Sequence, residues 1–574
     1  MALTGIAKKR WVLADCDRAK VAALARDLKM SETLATLLIK RGFDQTEPAM
    51  KFLKPSIKDL HDPFLMKDMR QAVGRILSAV AKQEKILIYG DYDVDGTTAV
   101  VILKSVLGMI GAKVGYYIPQ RLVDGYGMKE TAIERAKDDG YHLIISVDCG
   151  IRAHRVVDLA TQLGLDVIIT DHHLPEEGLP KAVAVLNPKR TDCPYPEKNL
   201  AGVGVAFKLV QALLKATRLP NYERIVESFT KIVAIGTIAD IVPLVGENRI
   251  IASYGLAGLC KPNNPGLQAL LETAGVSGRP VSCYDIAFRV APRINAVGRM
   301  GGASAAVELF SARTLEEARA IALEMNQQNS ERQKVEADII EEIMDMIKRE
   351  PHLTAGKVAV LARRGWHRGV IGIAASKIVE KIHRPTIIIS LEEDGYGYGS
   401  GRSIKAFHLL KGLTSCQDLF ERFGGHSHAA GLTIKEENIP ALRQRLNAYA
   451  DTVLKKGDLL PELEIDCMQP LSSINLDLVH EIAQMEPFGE GNPTPVFACR
   501  DAIIVGEPRI VKEKHLKFKL MHNGRVLDSI WWSGAAYMEE LFPGDRVRLA
   551  FTMGENTYNG ITQVQLTVKD MIVG

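Results

Sequence analysis

The sequence contains no C-x-x-C pair: its eight cysteines, at positions 16, 149, 193, 260, 283, 416, 467 and 499, are scattered along the chain. That spacing argues against a disulfide framework and against a structural zinc site, and predicts reduced thiols. No uninterrupted apolar run reaches membrane-spanning length, and the opening M-A-L-T-G-I-A-K-K-R-W has no apolar stretch long enough for a signal peptide. A cytoplasmic protein without a membrane partner is expected. Strong net charge is also lacking, since 72 Lys and Arg stand against 69 Asp and Glu for a formal charge of +3. Any nucleic-acid binding must therefore come from local basic patches. The hydrophobic fraction of 47% with 25% charged residues is that of a globular protein, and 574 residues exceed one ordinary core, so roughly three or four domains are expected.

Against this even background, K-I-L-I-Y-G-D-Y-D-V-D-G-T-T-A-V at 85–100 concentrates acid: Asp91, Asp93 and Asp95 fall within five positions. Ile86 to Tyr89 reads as a buried strand, and Gly96, Thr97 and Thr98 lead into a helical pattern over 99–109, so the acids occupy a strand-to-helix turn. One of them could cap the helix, which contributes roughly 1 kcal/mol. Three carboxylates together repel one another unless cations neutralise them. Two chemistries compete at this point. D-V-D-G-T resembles the nucleophile loop of haloacid dehalogenase-type phosphatases, in which one Asp attacks phosphorus; alternatively, the cluster ligates hard divalent metals.

Further apolar runs at 114–118, 142–148, 166–171 and 182–187 alternate with helical segments, which predicts a mainly parallel, doubly wound sheet. Asp148 ends one of these strands and Asp171-His172-His173 ends another, on the edge where α/β sheets bind ligands. Asp240, after the apolar segment I-V-A-I-G-T-I-A, could reach the same edge. Carboxylates with imidazole suit Mn²⁺ or Mg²⁺, and there are enough of them for two ions about 3.5–4 Å apart if one carboxylate bridges. The chemistry expected is phosphoester hydrolysis by a metal-activated water.

Beyond A-P-R-I-N-A-V-G-R-M-G-G-A (291–303), no Gly or Pro interrupts residues 311–350. One helix over that span would be about 60 Å long and most simply joins two domains. A second α/β unit follows, with R-R-G-W-H-R-G-V-I-G-I-A-A-S, Y-G-Y-G-S-G-R-S and R-F-G-G-H-S-H-A-A-G. Its glycines around Ser400 and Arg402 would let backbone N–H groups approach an anion, or would simply make tight turns. His426 and His428 have no third ligand nearby, so substrate contact or turn packing is expected of them. The C-terminal part reads as a small β-barrel, with His515, Lys517 and Lys519 on one face and Trp531, Trp532 and Tyr558 nearby, an arrangement that suits single-stranded nucleic acid. An aromatic ring in a barrel is nevertheless more often core than platform. The predicted order is a helical segment (1–75), a catalytic domain (76–310), a connecting helix (311–350), a second α/β domain (351–456) and an OB-like barrel (457–574).

Y-G-D-Y-D-V-D-G, S-V-D-C-G, T-D-H-H and G-T-I-A-D-I-V-P-L resemble, in order and spacing, the four motifs of the DHH phosphoesterase superfamily. G-G-H-S-H-A-A-G and S-G-R-S resemble its accompanying DHHA1 domain. With the barrel, the whole chain is similar to the RecJ family of bacterial single-strand-specific exonucleases, which favours metals over a dehalogenase-type nucleophile. The resemblance implies that Asp91, Asp93, Asp95, Asp148, His172 and Asp240 match metal-binding positions, without saying which of the first three ligate directly. It implies that His173 lies near the scissile phosphate. It also implies that Arg299, Ser400 and Arg402 hold substrate phosphates, with Gly424, Gly425 and His426 forming the DHHA1 signature. The activity implied is 5′→3′ hydrolysis of single-stranded DNA to 5′-mononucleotides by two Mn²⁺ or Mg²⁺ ions, the strand threading a passage too narrow for a duplex. The context implied is recombination and repair, beside single-stranded DNA-binding protein and a RecQ-type helicase. A phosphodiesterase of short oligonucleotides or cyclic dinucleotides would share both domains but needs no terminal barrel. A non-catalytic replication scaffold would not need the complete acid set.

Overall fold

The computed structural model describes every residue other than 1, 2, 121–124, 126, 301 and 303, and only the backbone of 3 and 4. Gly301 and Ala303 of the 291–303 motif thus lie outside the described residues. The chain forms two compact units, one of residues 55–449 with 489–491, the other of residues 1–54, 450–488 and 492–574.

The larger unit contains two sheets. In the first, five strands run parallel in the order Lys113–Tyr117, Lys85–Tyr89, Tyr141–Val147, Asp166–Thr170, Ala184–Leu186. Tyr89 pairs with Ser146, and Val147 with Thr170, so the residues that follow these strands emerge level at one edge. The strands are buried through most of their length because helices cover the sheet, which explains their continuous apolar runs. Two of these helices, Val94–Met109 and Gly202–Ala216, are themselves buried on nearly every side. The second sheet is mixed, in the order Phe420–Gly425, Ala429–Lys435, Tyr396–Arg402, Thr386–Leu391, Ala359–Arg364, with only the last pair parallel.

A 35-residue helix, Leu315–Arg349, links the two sheets' domains. It begins later than position 311 because the Thr314 side chain accepts a hydrogen bond from Glu317 N and caps it. Its first half sends Ala318, Ala322 and Met325 into the core of the first domain, and its second half sends Ile339 and Ile343 into that of the second.

In the smaller unit, strands Phe497–Val511, His515–His522, Arg525–Trp531, Ile561–Val573 and Arg546–Tyr558 close into a five-stranded barrel. Residues 1–54 do not lead into the catalytic sheet. Leu34, Leu37 and Leu38 share one apolar core with Leu471, Phe497 and Phe551 of the barrel side, and strand Arg10–Leu13 pairs in parallel with Glu462–Ile465. The helical segment read as 1–75 is thereby divided, its last part alone belonging with the catalytic sheet. All eight cysteines are free, and no helix among the described residues is long and apolar enough to cross a membrane.

Candidate metal and substrate site

The three aspartates of the first turn have different tasks. Asp93 caps helix Val94–Met109, its carboxylate accepting a hydrogen bond from Gly96 N at 3.0 Å. Asp95, buried in the first turn of that helix, accepts from Gly202 N at 2.6 Å and Val203 N at 2.7 Å, the first amides of helix Gly202–Ala216. A helix N-terminus favours an anion there. Asp91 is buried, and one ligand atom from each of Asp91, Asp93 and Asp148 lies within 4.8 Å of the others. Capping and ligation are therefore compatible, since Asp93 caps while belonging to an acid triad.

Asp148 follows its strand with φ 60°, a left-handed conformation that non-glycine residues rarely adopt and that recurs at functional sites. Its carboxylate lies against Gly202, where an added Cβ would sit 2.5 Å from Asp148 Oδ1. His172 Nε2 is 3.2 Å from Asp148 Oδ1 and 3.8 Å from Asp95 Oδ2, and its Nδ1 is 3.6 Å from Asp240 Oδ2. Asp240, directly after helix Tyr222–Ala239, thus reaches the edge as expected from its position. Asp95, His172 and Asp240 form a second triad within 4.8 Å, and Asp148, His172 and His173 a third.

Asp148 Oδ1, both ring nitrogens of His172 and Asp240 Oδ2 are buried and make no hydrogen bond. Each such atom costs about 1–3 kcal/mol, and four of them face one another here. Burial, reinforced by Asp95 and Asp93, pushes Asp240 up to about 9, while burial and Asp93 push Asp95 up to about 7. Burial and the surrounding acids hold Asp148 well above the carboxylate range. Burial, then His173, depresses His172 to about 3, so it is a neutral imidazole with electron pairs to donate. A divalent cation relieves every one of these costs together, and carboxylates with imidazole fit Mn²⁺ or Mg²⁺.

Asp171 ligates nothing in these triads. Its buried carboxylate accepts hydrogen bonds from Ile151 N, His172 N and His173 N, and its Oδ1 is 2.7 Å from His173 Nδ1. Burial opposes ionisation of Asp171, yet these bonds hold it below its ordinary range. Burial likewise opposes the His173 imidazolium, but Asp171 overcomes that and raises His173. Asn187 Nδ2 donates to His173 O at 2.8 Å. The positioning role of Asp171 and the Gly202 and Val203 amides were not anticipated from the sequence. A-G-V-G at 201–204, small residues opening a helical pattern, was the available signal.

The predicted phosphate-binding residues also converge. Arg402 Nη1 donates to Ser400 Oγ at 3.2 Å, both on strand Tyr396–Arg402. A Cβ added to Gly372, at the start of helix Ile371–Ile382, would lie 2.9 Å from Ser400 Oγ and 3.3 Å from Arg402 Nη2. Arg299 Nη1 donates to Gly369 O at 2.9 Å, in the turn before that helix. Gly424 and Gly425 end strand Phe420–Gly425, separated from Tyr396–Arg402 by Ala429–Lys435, and Gly425 could not carry a Cβ, which would meet Ala429 O at 2.3 Å. His426 follows, its imidazole lowered by burial first and then by the nearby cationic groups His428 and Arg402. In the barrel, Trp531 is core, buried and stacked on Tyr537, whereas Trp532 and Tyr558 are 54% and 73% exposed.

Family models match three stretches: the DHH family N-terminal domain at 85–237, the DHHA1 domain at 355–452 and the RecJ OB domain at 465–570. The single-stranded-DNA-specific exonuclease RecJ of Dickeya dadantii is 35% identical over 94% of this chain and 95% of its own. The chain belongs to the RecJ family. RecJ of Bacillus subtilis is 40% identical over 99% of this chain and 71% of that protein. The crystal structure of Thermus thermophilus RecJ in complex with Mn²⁺ matches with a TM-score of 0.84 and 30% identity, covering 98% of this chain and 79% of that one. The Mg²⁺ complex of the same RecJ matches with a TM-score of 0.77.

Proposed function

We propose that this chain degrades single-stranded DNA from its 5′ end to 5′-mononucleotides, with two Mn²⁺ or Mg²⁺ ions held at the acid edge. The observation that carries the reading is the set of buried, hydrogen-bond-deficient ligand atoms of Asp148, His172 and Asp240. Family membership supports the substrate, since the relatives are named for single-stranded DNA. Asp91, Asp93 and Asp148 would hold one ion, and Asp95, His172 and Asp240 the other. Asp148 also groups with His172 and His173, which suits it to bridge. Bound there, the ions neutralise phosphate charge and lower the pKa of a water.

The remaining steps belong to the protein. Arg299, Ser400, Arg402 and the Gly424–Gly425 turn with His426 would clamp the 5′ phosphate, fixing the terminal nucleotide across the acid edge. His173, oriented through Nδ1 by Asp171, would hold a proton at Nε2 against the phosphate. As the water oxygen bonds to phosphorus, the P–O3′ bond breaks and the 3′ oxygen gains a proton. Trp532, Tyr558, Lys517 and Lys519 on the barrel would bind single-stranded DNA by stacking and charge. On the same likeness we place the activity in cytoplasmic DNA recombination and repair, beside a single-stranded DNA-binding protein and a RecQ-type helicase.

The test uses one long single strand labelled at the 5′ end in one sample and the 3′ end in another, each with Mn²⁺ or chelator. Immediate labelled mononucleotide from the 5′ sample alone, abolished by chelator, is expected. Immediate mononucleotide from the 3′ label would reverse the polarity, and cleavage of dinucleotides only would replace the substrate.

A further inference from the structure

Helix Ala291–Met300 packs on the acid turn and also borders a separate cavity. Gly298 packs on that turn, since a Cβ there would lie 2.6 Å from Tyr92 O. Asn295 and Arg299 line a cavity of about 430 Å³, shared with the connecting helix through Arg332 and Glu336 and with helix Ile371–Ile382 through Lys377. Its size falls in the range of small-ligand sites. Three of these side chains are cationic and one is anionic.

Two observations point to what the cavity takes. Arg332 is only 7% exposed; its Nη1 pairs with Glu336 Oε2 at 2.6 Å and its Nη2 with Asn329 Oδ1 at 2.9 Å, but its buried Nε makes no hydrogen bond. Burying a guanidinium is costly, and with Arg299 and Lys377 against the single acid Glu336 the lining keeps an excess of positive charge that favours an anion. The second observation is aromatic. Phe288 lines the same cavity and pairs with Tyr284, ring centroids 4.6 Å apart, yet these rings are 60% and 62% exposed. Phe288 is presented by a π-helical turn, Ile286–Val290, a distortion frequent at functional sites, and Tyr284 by the short helical turn Cys283–Asp285 just before it. An exposed ring pair beside a basic cavity matches a flat base with a phosphate attached.

We propose that this cavity is a second nucleotide site, taking one free nucleoside 5′-monophosphate with its base on Phe288 and Tyr284 and its phosphate at Arg332 and Lys377. The choice of a nucleotide rests on the proposed nuclease function, whose product has this chemistry. Arg299 borders both this cavity and the Gly369 turn, so a nucleotide leaving the phosphate clamp has the cavity next to it. Lys377 also pairs with Glu380 at 3.1 Å on its exposed side, and the phosphate competes for it.

The test is equilibrium dialysis of radiolabelled dAMP against the full chain in excess chelator, with inorganic phosphate as competitor. A saturable component that survives in Arg402→Ala is expected, weakened about tenfold by Phe288→Ala and by Lys377→Ala, and poorly displaced by phosphate alone. No saturable binding, or binding indifferent to Phe288→Ala and Lys377→Ala, overturns the site. Binding removed by Arg402→Ala places dAMP in the 5′-phosphate clamp and also overturns it. Both test residues are partly exposed, and circular dichroism of each variant checks that the fold is kept. Because turnover is not the readout, failure of the nuclease reading and failure of this site are separate results.

Discussion

The acid edge and the arginine–serine cluster carry opposite charge and are built by opposite means. At the acid edge the carboxylates are buried, Asp148 adopts a left-handed backbone, and four ligand atoms make no hydrogen bond. In the cluster, Arg299 donates to Gly369 O, and Arg402 donates to Gly401 O and Ser400 Oγ, all while partly exposed. The first arrangement is unstable without a cation, whereas the second is satisfied before any anion arrives. A fold tolerates the former only where something bound restores the balance.

The largest expected effect comes from removing the acid edge's shared ligand. Asp148→Ala should lower metal-dependent turnover by at least about 10³-fold, while the melting temperature without metal holds or rises, because a repelled carboxylate is gone. Wild-type turnover would dissolve the contrast between the two clusters. In the barrel, neighbouring tryptophans should separate stability from binding. Trp531→Ala should cost about 3–5 kcal/mol in denaturant unfolding. Trp532→Ala should stay within about 0.5 kcal/mol in unfolding but weaken single-strand binding by about 1–3 kcal/mol per base lost. Equal unfolding costs would remove the distinction.

Asp171→Asn should reduce turnover about 10–100-fold, as loss of an orienting partner does. It should also move the His173 titration, followed by NMR, to lower pH, because Asp171 is what favours the imidazolium. An unmoved titration would assign Asp171 to packing alone. The smallest effect is on stability against pH. In the metal-free fold Asp95 and Asp240 are raised to about 7 and about 9, against about 4 for an unfolded Asp. Their ionisation penalises the fold, so the contribution is intact below about pH 4 and lost as pH rises through the folded values. Relative to Asp240→Asn, the metal-free wild type should therefore melt a few degrees lower at pH 9 than at pH 5, and Mn²⁺ should cancel the difference. A wild type that gains on the variant as pH rises would contradict the buried-acid account.

The parallel sheet was legible because both its faces are covered, so its strands read as unbroken apolar runs ending in acids. Asp91, Asp148 and His172 stood out since polar groups crowded at buried strand ends need a reason, and Asp240 because it follows an apolar helix. The division of residues 1–75 was not legible: Leu34, Leu37 and Leu38 show an ordinary helical face that does not name its partner, and the partner is over 400 positions away. The role of Asp171 was hidden inside the motif that contains it. Side-chain type cannot separate a ligand from the group that orients one, and only the hydrogen bonds to His173 do so. Trp531 and Trp532 are likewise the same residue type, and only their placement, the last residue of a strand against the first of the turn after it, separates core from surface.

The most direct measurement is an anomalous difference map from crystals of the protein grown with Mn²⁺. The account predicts two peaks about 3.5–4 Å apart, bounded by Asp91, Asp93, Asp95, Asp148, His172 and Asp240, with Asp148 between them. A map with no peak at these residues, from crystals whose protein cleaves single strands in the same Mn²⁺ buffer, would contradict it.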